Sequence, residues 1–252
     1  MIKRIVIVGA TSSIATHCAR LWAQGHLIDL TLIGRDRERL ERLQTDLYAR
    51  ALPDSKIQIV VTDLMDADAI QSTTDRLAEE GNIDVVLIAH GSLGDQTECQ
   101  SDLKKNKYEL EVNAISPVLY AEAFAQHMGR LNHGTLAVIG SVAGDRGRRS
   151  NYIYGAAKGM VTRYVQGLQH RFAGISGNRV KVVLIKPGPT DTPMTAQFKA
   201  KGMKLSSVEE VSAGIVAGID GGKSVVYVPG KWRLIMTIIQ HIPAFVFNKL
   251  NI

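Results

Sequence analysis

Short runs of apolar, mostly β-branched residues alternate along this chain with longer segments of helical periodicity, and this alternation restricts the fold most. Runs at 2–8, 28–33, 56–61, 83–89, 133–140, 179–186 and 224–228 read as strands. Segments 12–24, 36–51, 66–80, 103–129, 151–173 and 207–219 read as helices. Val85-Val86-Leu87-Ile88-Ala89 is apolar at every position, which suits a parallel strand covered on both faces. The alternation predicts right-handed βαβ units and an α/β fold with a doubly wound parallel sheet. No linker rich in Pro, Ser or Gly interrupts it, so one domain is expected over 1–230, followed by a tail of different character at 231–252.

Other features narrow the function classes. The 252 residues are 45% hydrophobic and 21% charged, ordinary for a soluble globular protein. No stretch of about 20 uninterrupted apolar residues offers a spanning helix. Met1 to Val8 resembles a signal peptide in composition, but it runs into a glycine turn without a cleavage-type ending and reads as a first strand. Cys18 and Cys99, the two cysteines, lack paired spacing. That argues against a disulfide framework or zinc site and fits a reducing, cytoplasmic compartment. The seven His are scattered, so no metal is expected. A net charge of +6 suits an anionic cofactor or substrate, an anionic membrane surface, or nucleic acid. The basic residues are dispersed, with no stripe interleaved with aromatics, so nucleic acid is not expected.

The first strand ends in Gly9-Ala10-Thr11-Ser12-Ser13-Ile14-Ala15. A glycine turn opening a helix suits a dinucleotide pyrophosphate, which would meet free N–H groups and the positive end of the helix dipole. A GxxxGxG loop would place glycines where Ser13 and Ala15 stand, and both are small. The alternative is a plain turn capped by Ser12 or Ser13. The second strand ends in Gly34-Arg35-Asp36. An acid at this strand end commonly binds the ribose 2′-hydroxyl of NAD, whereas an arginine suits the 2′-phosphate of NADP. Arg35 therefore favours NADP(H), with NAD(H) as the alternative, and Asp36 is either a helix cap or an acid that blurs the preference. Asp63, followed by Leu64, either reaches an adenine amino group or caps the next helix.

Tyr154-Gly155-Ala156-Ala157-Lys158 puts a phenol and an ammonium at i and i+4 on one helix face. An ammonium about 4 Å away, at an effective dielectric near 20, would bring a phenol from about 10 to about 7. A general acid–base works best there. Ser141, thirteen positions earlier at the end of the fifth strand, can donate to a substrate oxygen. Asn113 lies in the preceding helix, and Pro187-Gly188-Pro189-Thr190-Asp191-Thr192 follows the sixth strand, where a rigid loop can hold a nicotinamide carboxamide.

On these motifs, residues 1–230 resemble a short-chain dehydrogenase/reductase. The resemblance implies a Rossmann-type fold, NAD(P)-dependent transfer of hydride between a ketone and a secondary alcohol, and assembly as a homodimer or homotetramer. It implies a catalytic tetrad of Asn113, Ser141, Tyr154 and Lys158. Lys158 would bond the nicotinamide ribose, Asn113 would hold a water relaying protons to Lys158, and Thr192 would lie near the cofactor. One departure stands out: where the family has Asn-Asn-Ala-Gly, this chain has Ile88-Ala89-His90-Gly91. His90 is either a core histidine or a group touching ribose or substrate.

Two regions bear on the substrate. Asp145-Arg146-Gly147-Arg148-Arg149 lies between Ser141 and Tyr154, and Arg146, Arg148 and Arg149 could bind a phosphate or carboxylate. A solvated loop, or a salt bridge to Asp145, is the alternative. In the tail, Trp232, Ile235, Met236 and Ile239 recur at helical spacing, and Leu234, Ile238 and Ile242 widen the stripe before Pro243 ends the helix. The stripe suits cover by the domain or a second subunit, or contact with the inner membrane face through 231–252. The arginine loop, Ala89-His90-Gly91 and the tail together resemble the reductase half of the decaprenylphosphoryl-ribose 2′-epimerase system. That implies a keto-sugar phosphate, polyprenyl-linked, as substrate. Outside this class stand a catalytically idle NADP(H)-binding sensor and a membrane-surface interaction protein.

Overall fold

The computed structural model describes residues 2–250. Its strands are β1 (Lys3–Val8), β2 (Ile28–Gly34), β3 (Lys56–Val61), β4 (Val85–Ile88), β5 (Thr135–Ile139), β6 (Lys181–Pro187) and β7 (Val225–Val228). They form one parallel sheet in the order β3-β2-β1-β4-β5-β6-β7. The order reverses between β1 and β4, where Val8 pairs with both Ile33 and Ile88. A crevice opens beyond the strand ends at such a reversal.

The apolar strands are explained by their two covered faces. Ile5 and Ile7 pack with α1 (Ser13–Gly25), α2 (Arg37–Tyr48) and α9 (Val208–Asp220). Val6 and Val8 point the other way, into the layer with α3 (Ala67–Glu79), α6 (Ser116–Leu131) and α7 (Tyr152–Ala173). All four side chains are fully buried. The helices on the crevice side start at side-chain caps. Ser12 accepts from the Ala15 N–H, Asp36 from Arg39 and Asp66 from Ala69, each satisfying a donor that the first turn leaves open.

The helix expected over 103–129 is broken in the structure. After α4 (Gln96–Ser101), α5 (Leu103–Leu110) leads into a π-helical turn, Glu111–Ile115, before α6 begins. Pro117 is the physical reason, since it has no N–H to donate to the carbonyl four residues back, that of Asn113. The Ser116 N–H instead reaches the Glu111 carbonyl, one residue further. The short α8 (Ala196–Ala200) was also absent from the sequence expectation. Beyond β7, α10 (Lys231–His241) and α11 (Ala244–Phe247) form the tail, with Met236 fully buried on the inner face of α10. Among the described residues no helix is long and apolar enough to cross a membrane.

Candidate active site

The crevice holds a cavity of about 510 Å³, and every residue named above as catalytic or cofactor-binding lines it. Gly9 shapes one end. Its φ is +76°, and a Cβ there would lie 2.5 Å from His90 Cβ and 2.6 Å from the His90 nitrogen. Only glycine lets the β1 turn pass so close to the end of β4. α1 starts just beyond, its first-turn N–H groups at the cavity wall.

At the end of β2 two arginines line the cavity. Arg35 Nη1 donates to the Tyr108 hydroxyl at 3.2 Å, and Arg39 Nη2 donates to the Thr11 carbonyl at 3.1 Å. Arg39 was missed from the sequence, although its place in the first turn of α2, four residues after Arg35, was a usable signal. Asp36 caps α2. Asp63 does not cap α3, a role taken by Asp66; its side chain accepts from the Met65 N–H at 2.9 Å while lining the cavity.

Ser141 and Tyr154 come together in the middle. Ser141 caps a short 3-10 turn, its Oγ accepting from the Ala143 N–H at 3.1 Å, and its hydroxyl hydrogen-bonds the Tyr154 phenol. Lys158 lies one turn along α7, donating to the Ile139 carbonyl at 3.1 Å, with Nζ 5.8 Å from the centre of the Tyr154 ring. The expected descent of the Tyr154 phenol towards 7 is corrected here. Burial pushes it up to about 12, against the lowering by Ser141, and Glu109 raises it further. Burial also pushes Lys158 down to about 8. Desolvation opposes both charged forms, and the burial that spacing cannot show outweighs the charge it suggests.

Asn113 sits in the π-helical turn and is fully buried. His90 is a buried, neutral histidine, pushed down to about 3 by burial and by the Lys158 charge. Its Nε2 lies 2.7 Å from Ser116 Oγ, which in turn donates to the Leu64 carbonyl, while Nδ1 has no partner.

The three loop arginines separate, and this corrects the expectation that they act as a group. Arg146 is held by the tail: its Nη1 donates to the Ile239 and Ile242 carbonyls, both at 2.6 Å, and its guanidinium stacks 3.8 Å from the Phe247 ring centre. Carbonyls of the last turn of α10, at the negative end of the helix dipole, attract the cation. Arg149 is exposed and does not line the cavity. Arg148 does line it, partly buried, with Nη2 against Met236 Sδ at 3.4 Å and Nε unpartnered. Asp145 pairs with Lys186 rather than with an arginine, and accepts from the Tyr227 hydroxyl at 2.9 Å. The tail also touches the loop after β6. A Cβ on Gly188 would lie 1.9 Å from Trp232 Nε1, a close approach that sequence reasoning did not anticipate.

The geometry defines a class: an α/β oxidoreductase site with a phenol, a hydroxyl and an ammonium in one crevice beyond the strand ends. The family model for short chain dehydrogenases matches residues 3–202. An uncharacterized oxidoreductase of Streptomyces coelicolor is 30% identical over 98% of this chain and 96% of its own. Among solved structures, a short chain dehydrogenase of Burkholderia cenocepacia in complex with NADP superposes with a TM-score of 0.81 at 19% identity, covering 99% of this chain and 98% of that one. One from Sphingobium yanoikuyae in complex with NADPH gives 0.78 at 22% identity, covering 99% and 96%. This chain belongs to the short chain dehydrogenase family, and it is an oxidoreductase of the CH–OH/C=O type.

Proposed function

We propose that the protein uses NADP(H) to reduce a ketone that carries an anionic group. The observation that carries the redox reading is the Ser141–Tyr154 hydrogen bond beside Lys158, in the same cavity as the Gly9 turn and the start of α1. The residues fit a dinucleotide. The Gly9 turn lines the cavity while packing closely against the end of β4, the first turn of α1 offers N–H groups, and Arg35 and Arg39 offer two guanidinium groups. A bound reduced nicotinamide supplies the hydride. Tyr154 gives its phenol proton to the carbonyl oxygen, so that the C=O bond becomes CH–OH, and Ser141 steadies that oxygen by donating a hydrogen bond. Lys158 stabilises the phenolate left behind. The test is a turnover screen with NADPH and NADH against panels of ketones and keto-sugars. Tight NADPH binding with no turnover on any of them would support the idle sensor instead.

For the cofactor, Arg35→Ala should weaken NADPH about ten- to a hundredfold while leaving NADH nearly unchanged, since a charged hydrogen bond contributes about 1.5–3 kcal/mol. Equal losses for both cofactors, measured by fluorescence titration, would remove the argument for NADP(H).

Arg148 supports the anionic group. It is the loop arginine at the cavity, no carboxylate among the described residues forms a salt bridge with it, and burial lowers its pKa against a smaller opposing pull from the Asp145 charge. A phosphate or carboxylate on the substrate would relieve that cost. A keto-sugar phosphate, polyprenyl-linked in the fullest form of this reading, satisfies it. Arg148→Met should raise KM for such a substrate about tenfold or more, with kcat within a few-fold. An unchanged KM rules Arg148 out as the anchor. The tail enters through its outer face, where Leu234, Ile238 and Phe245 are exposed near Lys231, Arg233 and Lys249. We assign that face to contact with a second subunit or with an anionic membrane. Sedimentation of the full chain with and without anionic liposomes at low salt tells the two apart.

A further inference from the structure

Next to the site lies a buried carboxylate that the reaction above does not use. Glu109, near the end of α5, is 7% exposed, and among the described residues no cation pairs with it. Its oxygens accept from the Ser92 hydroxyl at 3.0 Å and from Asn113 Nδ2 at 3.0 Å. The loop after β4 closes over this pair. The Ser92 N–H donates to Asn113 Oδ1 at 3.0 Å, and a Cβ on Gly94 would lie 2.9 Å from the Glu109 carboxyl carbon.

These contacts settle which way the Asn113 amide points. Its nitrogen faces Glu109, a group that can only accept when ionised. Its oxygen therefore faces the Gly91 side, towards Lys158. A Cβ on Gly91 would lie 2.8 Å from Asn113 Oδ1 and 3.6 Å from Lys158 Nζ, so the bare glycine leaves a gap bordered by both polar atoms. The Ser92 N–H and the Glu109 backbone carbonyl, which accepts from Asn113 Nδ2 at 3.0 Å, favour the same orientation, and the carboxylate adds to them.

We propose that Glu109 is a positioning residue whose carboxylate helps hold the Asn113 oxygen towards Lys158 and whose negative charge raises the pH at which Tyr154 ionises. Three charged or titratable groups bear on the Tyr154–Lys158 pair on α7. His90 after β4 is neutral and Arg148 is cationic across the cavity. Lys158 is itself the ammonium, and Glu109 on α5 is the carboxylate, contributing to the raised phenol. A negative charge opposes formation of a second one nearby, so its removal must lower the phenol pKa. The proposal deepens the reading of Tyr154 as the acid–base group, and it can be tested without turnover.

The experiment follows phenolate absorbance against pH in the NADP⁺ complex, taking the difference between each protein and its Tyr154→Phe counterpart. The positive nicotinamide ring favours the phenolate and brings the titration within reach. Glu109→Gln keeps the size and the acceptor oxygen but removes the charge, and should move the midpoint down by about half a unit or more. Glu109→Asp keeps the charge and should leave the midpoint near that of the wild type. A midpoint unmoved in Glu109→Gln overturns the proposal. So does an equal shift in Glu109→Asp, which would show that packing, not charge, sets the value. Because the readout is an ionisation, these outcomes are distinct from the protein simply failing to reduce the ketones tried.

Discussion

Tyr154→Phe is expected to cut turnover by about a hundred- to ten-thousandfold while the protein still folds and binds NADPH. In the mechanism proposed above the phenol is the proton donor, and the hydroxyl of Ser141 is hydrogen-bonded to it. Phenylalanine fills the same volume, so α7 keeps its packing, and Lys158 keeps its bond to the Ile139 carbonyl. What disappears is the proton that must reach the carbonyl oxygen as the hydride reaches carbon. Unchanged NADPH affinity alongside lost activity would place Tyr154 in the chemical step. A variant retaining more than about a tenth of the wild-type rate would exclude general acid catalysis by Tyr154.

Gly9→Ala should damage the fold itself, at about 3 kcal/mol or on the order of 10 °C in Tm. Two costs combine. The backbone there has φ +76°, which a side chain disfavours, and the new methyl would lie 2.5 Å from His90 Cβ. The ends of β1 and β4 would have to part, just where the cavity is lined by both. Gly25→Ala is the matched control, since a Cβ there meets nothing within 4 Å and the residue closes α1. Thermal melts of the two proteins should differ clearly, with Gly25→Ala close to wild type. Equal melting temperatures would mean that the contact between the two strand ends yields without cost.

The order of elements could be read from the sequence because strands buried on both faces leave a plain signature, as at Val85 to Ile88. Ser141, Tyr154 and Lys158 could be read because their spacing follows from one strand end and one helix turn. The break at 111–115 could not be read from periodicity, since α5 and α6 together keep the apolar pattern. Pro117 was the available signal, and its effect depends on where the missing hydrogen bond falls. The fates of Arg146 and Arg148 were hidden for another reason. They stand two residues apart in one loop, and what separates them is the position of α10, nearly a hundred residues later in the chain. The pKa of Tyr154 escaped likewise, because spacing suggests a charge nearby but says nothing of how much water the site excludes.

The contact between Trp232 and Gly188 gives the protein a native fluorophore in a useful place. The chain has two tryptophans. Trp22 is sealed in the core at 1% exposure and is remote from changes at the surface. Trp232 rests against Gly188 of the loop after β6, and Gly188 lines the cavity. Its emission therefore monitors that loop and the seating of the tail together, with Trp22 as a constant background. Binding at the site and displacement of the C-terminal helix become visible in the same optical signal, without a label.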